Sequence, residues 1–332
     1  MSNYPLNPKI FDADVLQEPI RLGFGRGLKI AGESNENIVA LCADLTESTQ
    51  VHLFAEAFPE RFIQVGIAEQ NLVAVASGLA SVGKVPFASS YAAFNPGRNW
   101  EQIKTTVALN DQPVKIIASH AGVGVGPDGA THQMLEDIAL MRVMPNMVVI
   151  APGDSIEAQK ATIMISKNNK PSYLRLARPK TPVFSTLDSP FEIGVAYVLR
   201  DGSDVSLFGT GIMTYQLLVA AEIMAKSGIN AEVVHVPTIK PLDSDTIIAS
   251  ARKTGRVVTA EEAQINGGLG GAIAEVLSEH LPTPLLRIGI NDRYGESGEP
   301  AELLEFFGLT GKQIAEKVED FIHKKPQYHR DY

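Results

Sequence analysis

The sequence predicts an α/β protein of two doubly wound domains, each built around a mostly parallel sheet. Three observations predict it. Short β-rich runs alternate with segments of helical period along nearly the whole chain. A stretch with three prolines and no helical period, 177–190, breaks that alternation near the middle. The 332 residues, 45% of them hydrophobic, are enough for two cores of ordinary size.

In chain order, the first series places strands at 37–43, 62–66, 85–89, 114–119, 147–151 and 172–176. Helical segments fall near 18–31, 69–81, 100–109, 135–143 and 156–167. The second series places strands near 205–209, 231–236, 256–260 and 285–288, with helices near 215–226, 244–253 and 269–280. Thr310-Gly-Lys-Gln313 reads as a capping box opening a last amphipathic helix that runs to about 323. The expected organisation is a first domain over 1–180, a linker over 181–192, a second domain over 193–325 and a polar tail over 326–332.

Composition narrows the function. With 29 Lys and Arg against 38 Asp and Glu, the net charge is −9, which offers no basic field for nucleic acid or an anionic membrane. Local cationic sites for phosphorylated substrates stay open. Cys42 is the single cysteine, so neither an intrachain disulfide nor a cysteine metal site can form, and its expected role is packing. No apolar run has membrane-spanning length and the first residues lack a leader's apolar core, which together favour a cytoplasmic protein.

Several glycine clusters suggest nucleotide binding, and each fails against its full pattern. Gly122-Val-Gly-Val-Gly126 runs into Pro127 and does not complete a dinucleotide fingerprint; Gly267–Gly271 misses the spacing. The 78–84 segment nearly matches a phosphate loop, but Val85 stands where a hydroxyl must hold magnesium, and a helix precedes it where a strand should. The seven histidines are scattered, without a metal-ligand pair on one helical face, and no Gly-x-Ser-x-Gly elbow occurs.

Three other segments lie where strand ends meet loops, the edge at which open α/β sheets build ligand sites. Gly66-Ile-Ala-Glu69-Gln-Asn71 ends a strand and opens a helix; there Glu69 is either a dipole-favoured first-turn residue or a site acid. Tyr91-Ala-Ala-Phe94 puts aromatics at a second strand end. Ser119-His120 and the loop Gly122-Val-Gly-Val-Gly-Pro-Asp128-Gly-Ala-Thr-His132-Gln follow a third.

In this order, with Arg178 in Leu-Ala-Arg-Pro, these segments resemble the pyrimidine-binding domain of transketolases. The resemblance continues through Thr238-Ile-Lys-Pro-Leu242, Thr259-Ala-Glu-Glu262 and Gly267–Gly271 into the C-terminal domain, and so covers nearly the whole chain. It implies a thiamine-diphosphate enzyme that transfers a two-carbon ketol unit from a ketose phosphate to an aldose phosphate. Glu69 matches the family glutamate that hydrogen-bonds the cofactor's aminopyrimidine, favouring the imino tautomer whose nitrogen takes the thiazolium proton. Phe94 matches the aromatic on which the pyrimidine stacks, Tyr91 lines the same wall where the family usually has Phe, and Asp44 matches an aspartate near the thiazolium. His120, Asp128 and His132 resemble contacts to sugar hydroxyls, with His132 near the transferred end and counted with Glu69 as catalytic. Arg178, Ser48 and Arg21 match phosphate contacts; Arg21 rests on its spacing to Asp44, with a solvated helix face as the alternative.

Full-length transketolases carry a preceding domain in which Gly-Asp-Gly and a later Asn hold the metal and the diphosphate, and nothing here matches it. The resemblance therefore implies a partner: a transketolase N-terminal, diphosphate-binding subunit that holds Mg2+ or Ca2+, in an assembly of two copies of each chain. Two related readings share the Ala-Glu-Gln motif, the C-terminal half of deoxyxylulose-phosphate synthase and the beta-type subunit of 2-oxo acid dehydrogenases. A third, of another class, is a regulatory or scaffold subunit without chemistry.

Overall fold

The computed structural model describes residues 4–323. In chain order the strands are β1 (Gln17–Pro19), β2 (Ile38–Cys42), β3 (Phe62–Gln64), β4 (Val85–Tyr91), β5 (Lys115–Ser119), β6 (Val148–Ile150), β7 (Ser172–Leu176) and β8 (Lys180–Pro182). They continue as β9 (Tyr197–Arg200), β10 (Val205–Gly209), β11 (Ala231–His235), β12 (Thr238–Lys240), β13 (Val257–Gln264) and β14 (Leu285–Ile290). The helices are α1 (Ile20–Ser34), α2 (His52–Ala57), α3 (Glu69–Ser81), α4 (Trp100–Gln102), α5 (Asp137–Arg142), α6 (Ser155–Lys167), α7 (Met213–Lys226), α8 (Ser244–Thr254), α9 (Leu269–His280), α10 (Pro300–Phe306) and α11 (Gly311–His323). A π-helix over Ile103–Ala108 continues α4.

Two mostly parallel sheets carry twelve of these strands, one of seven in the order β12-β6-β7-β5-β4-β2-β3 and one of five in the order β14-β13-β10-β11-β9, while β1 and β8 form a two-stranded sheet of their own. Every residue of β2, β5, β7, β10 and β11 is buried, as expected for parallel strands covered by helices on both faces. The α/β class and its two series stand. α1 lies against α6 so closely that a side chain at Gly23 would run into the Ser155 carbonyl, and one at Gly27 would meet that of Gln159.

The departures from expectation have physical causes. The 181–192 segment, expected as a linker, is tied down: β8 pairs antiparallel with β1, and Val183 and Phe184 are buried. β9 and β12, too short to show a period, are antiparallel edge strands that the sequence pattern does not announce. β12 leaves the second domain and pairs with β6, so the C-terminal segment completes the first sheet. Two short helices, α2 and α10, also went unannounced. Thr310 does cap α11, its Oγ1 lying 2.8 Å from Gln313 Oε1 and 3.4 Å from the Gln313 amide. Cys42 is buried and unbridged. No described helix is long and apolar enough to cross a membrane. The expected polar tail, 326–332, lies outside the described residues.

The domains are also joined by a buried chain of polar groups. Glu157 on α6 meets His235 Nε2 at 2.7 Å, and His235 Nδ1 meets the Thr214 hydroxyl at 2.6 Å. All three side chains are buried, so the chain holds α6 against β11 and α7.

Candidate active site

β2, β3, β4, β5 and β7 run parallel, so the loops that follow them share one edge of the first sheet. Gly66, with φ of +70°, turns the chain from β3 toward α3, whose first residue is Glu69. The Glu69 side chain is 2% exposed. Its Oε1 accepts from Ser90 Oγ at 3.4 Å, and its Oε2 faces Arg98 Nη1 at 3.4 Å. The Glu69 carbonyl accepts from Asn99 Nδ2 at 2.9 Å. Asn99 also reaches Asn95 Oδ1 at 3.1 Å, and Asn95 donates to the carbonyls of Ala88 and Ile117. The turn after β4 is thereby fastened to two strands and to the start of α3, which holds Phe94 and Glu69 in one frame.

Phe94 stands at that turn with its ring centroid 6.2 Å from that of Tyr91 and nearly parallel to it, at 16°. The Arg98 guanidinium lies 5.0 Å from the Phe94 centroid while pairing with Glu69. His132 meets the Phe94 ring edge-on at 5.6 Å. Tyr91 stacks on His120 with centroids 3.8 Å apart, so it serves both the aromatic wall and the floor beneath the histidines.

His120 is buried and in the left-handed region, φ +60°. Its Nε2 lies 2.9 Å from Arg21 Nη1 and its Nδ1 lies 2.8 Å from Ser119 Oγ. Because a guanidinium can only donate, Nε2 is the acceptor and Nδ1 carries the proton. Burial, the charges of Arg21 and Arg178, and then His132 push the imidazole down to about 3, so it is neutral under ordinary conditions. Arg21 is held below its usual range by burial and then by Arg178. Arg21 is half-buried rather than on a solvated helix face, and its Nε meets no described partner. Both ring nitrogens of His120 are engaged, so a sugar hydroxyl would have to compete with Arg21 for Nε2.

The loop 122–132 runs between two carboxyl- and guanidinium-bearing side chains. Arg178 Nη1 donates to the Val125 carbonyl at 2.8 Å, and the Gly124 amide donates to Glu262 Oε1 at 2.6 Å. Asp128 is exposed on this loop, and His132 is half-buried with Nδ1 2.9 Å from Thr131 Oγ1. Asp44 and Ser48 lie on the loop after β2, at the same sheet edge. Asp44 is exposed with φ of +59°, its amide donating to Gln64 Oε1 at 2.7 Å, and neither residue bonds the other candidates among the described residues.

The structure thus brings Glu69, Tyr91, Phe94, His120, His132, Arg21 and Arg178 into one contiguous site, with Asp44, Ser48 and Asp128 at its margin. Arg98, Asn99 and Glu262 were missed. Arg98 lies in the irregular turn after β4, which carries no period; Glu262 is visible only within Thr259-Ala-Glu-Glu262, and nothing in the sequence signals its contact with an amide 138 positions away. A buried carboxylate beside a flat ring fits an aminopyrimidine, which offers a ring nitrogen to the acid and a face to the aromatic. Two arginines at the other end fit an anionic group. Among the described residues no three His, Cys, Asp or Glu converge where a metal could sit.

The transketolase pyrimidine-binding domain pattern matches residues 19–183, and the transketolase C-terminal domain pattern matches 194–314. A chain of Methanocaldococcus jannaschii, assigned by inference as a transketolase C-terminal section, is 46% identical over 92% of this chain and 97% of its own length. A 6-deoxy-6-sulfo-D-fructose transketolase subunit of a Clostridium species is 42% identical over 88% of this chain and 91% of its own. Against human transketolase the identity is 35%, and this chain spans 49% of that protein. A 1-deoxy-D-xylulose-5-phosphate synthase of Syntrophotalea carbinolica is 40% identical over 90% of this chain and 48% of its own length. Among solved structures, a split-gene transketolase described as an inactive beta4 tetramer superposes with a TM-score of 0.86 at 45% identity, covering 92% of this chain and 98% of that one. The chain belongs to the transketolase family and corresponds to its pyrimidine-binding and C-terminal domains.

Proposed function

We propose that this chain is the C-terminal subunit of a two-chain, thiamine-diphosphate-dependent transketolase that moves a two-carbon ketol unit from a ketose phosphate to an aldose phosphate. The observation that carries the proposal is the Glu69 side chain, 2% exposed and bonded among the described residues to Ser90 and to the Arg98 guanidinium that also covers the Phe94 ring. An acid so placed can hold and exchange a proton at a ring nitrogen. Thiamine diphosphate, when bound, would supply the carbanion-stabilising chemistry that ketol transfer requires. Phe94 and Tyr91 orient the pyrimidine end, with Asp44 toward the thiazolium end. His132, against the Phe94 edge, orients the transferred end of the sugar, with His120 and Asp128 toward its hydroxyls. Arg178, Arg21 and Ser48 take the phosphate.

The diphosphate and its metal, magnesium or calcium, are assigned to a partner subunit, with two copies of each chain in the assembly. A similar chain of equal extent, described as an inactive beta4 tetramer, supports that dependence. A cytoplasmic setting accords with this metabolism. The test is reconstitution: the purified chain is mixed with its diphosphate-binding partner and titrated with thiamine diphosphate and metal. Ketol transfer between sugar phosphates is expected, with no carbon dioxide released from pyruvate. Carbon dioxide release with glyceraldehyde phosphate as acceptor would favour the synthase, and no turnover in any arm would favour a scaffold. A sulfonated ketose belongs in the same assay, since the sulfofructose enzyme's subunit is a relative and arginines accept either anion.

A further inference from the structure

We propose that Glu262, which belongs to the C-terminal domain, is a positioning residue that fixes the loop 122–132 from across the domain boundary. The contact stands on geometry; the loop's role in holding sugar rests on the transketolase reading. Glycine occupies 122, 124, 126 and 129, and at 122, 126 and 129 φ is positive. Such a segment has little stiffness of its own and must be held from outside. Glu262, near the end of β13, is 2% exposed, and its Oε1 accepts the Gly124 amide at 2.6 Å. A Cβ at Gly122 would stand 2.6 Å from Glu262 Oε2, so the carboxylate fills the space those glycines leave. The Val123 amide faces the same carboxyl group.

Two further side chains complete the clamp. Arg178 holds the next carbonyl, that of Val125, and Gln133 Nε2 holds that of Val123 at 3.0 Å, so three successive loop residues are gripped. The Glu262 main chain is itself pinned, its carbonyl accepting from Arg175 Nη2 at 2.8 Å, while Arg175 Nε pairs with the buried Asp137 at 2.8 Å. The charged groups facing Glu262 are Arg175 and Asp137 from the first domain. Burial pushes the Glu262 carboxyl up to about 7, so a neutral amide of the same shape should serve nearly as well. What the position needs is an acceptor for the Gly124 amide and the volume to bear on Gly122.

The test uses the full chain alone and the reconstituted enzyme. In Glu262→Ala, amides of 121–133 should exchange with solvent about tenfold faster, the equivalent of losing one hydrogen bond of about 1.4 kcal/mol. Amides in β2 and β10 should keep wild-type rates. With the partner present, the KM for a ketose phosphate should rise about tenfold while kcat falls less than about threefold. Glu262→Gln should stay near wild type in both readouts. Unchanged exchange in 121–133 would overturn the proposal, and so would equal acceleration in β2 and β10, which would mark Glu262 as a packing residue of the whole fold. Should the wild-type mixture show no ketol transfer, the functional reading fails, and the exchange pattern still decides the clamp.

Discussion

Arg21 donates to His120 Nε2 at 2.9 Å across 99 positions of sequence, and that bond decides which nitrogen of the imidazole carries the proton. A neutral His120 at the floor of a cationic site has a thermodynamic signature. The unfolded chain protonates this side chain near 6.5, whereas the fold holds it neutral down to about 3. Between those values the unfolded state binds more protons, so this contribution to stability is complete above 6.5 and is lost as pH falls toward 3. Glu261 and Glu262, both pushed up to about 7 by burial, act in the opposite sense between 4.5 and 7, stabilising the acid side of that window. A comparison of wild type with His120→Asn isolates the histidine, because Asn tolerates the left-handed backbone at this position. Between pH 6 and 4, wild-type stability in urea should fall more steeply, by up to about 1.4 kcal/mol per pH unit. Identical slopes would mean that His120 takes up its proton in the fold as readily as out of it.

Glu69→Gln should lower turnover of the reconstituted enzyme by more than about a hundredfold, since an amide cannot exchange the proton. The fold should survive, because the 2.9 Å bond from Asn99 is made to the main-chain carbonyl of Glu69 and the variant keeps it. Turnover and thermal denaturation measured on one preparation check both halves. Wild-type turnover from the variant would remove Glu69 from the chemistry.

Arg178→Ala should raise the KM for phosphorylated donors by about tenfold or more, and that for hydroxypyruvate far less. The difference between the two donors reads the phosphate contact. Any shared part reads the lost bond to the Val125 carbonyl, which loosens the loop for every substrate. Equal impairment with both donors would assign Arg178 to the loop alone.

By itself the chain should fold and show neither ketol transfer nor tight, metal-dependent binding of thiamine diphosphate. Stacking on Phe94 and one bond to Glu69 supply only about 1 kcal/mol each, too little to hold a ligand from dilute solution. Calorimetry with and without the partner checks this. Binding and turnover should return together, and the cofactor should tighten the association of the chains it bridges. Micromolar metal-dependent binding to this chain alone, with turnover, would refute the split-enzyme proposal.

What was legible in the sequence was the part written locally. Glu69, Tyr91, Phe94 and His120 each follow a strand whose apolar run is visible, and parallel strands put their ends on one edge, so the site's edge could be inferred from order alone. What escaped was written between distant segments. Arg21 reaches His120 from the first turn of α1, and no period or spacing signals a contact that only the sheet order creates. Arg98 lies in a turn without regular period, and its pairing with Glu69 depends on the path of that turn. β9 and β12 are recognisable only by the strands they border, and β12 borders one in the other domain.

That placement of β12 limits how the chain can be divided. Its register puts Thr238 opposite Ile150 and Lys240 opposite Val149, along the outer rim of β6. A gene truncated after residue 190 would encode every strand-end loop of the site and leave that rim bare, three residues of open ladder ready to recruit a neighbouring molecule. Dividing this chain between its two domains therefore carries an aggregation hazard. Simple deletion of the C-terminal domain would therefore unseal the edge of the first sheet.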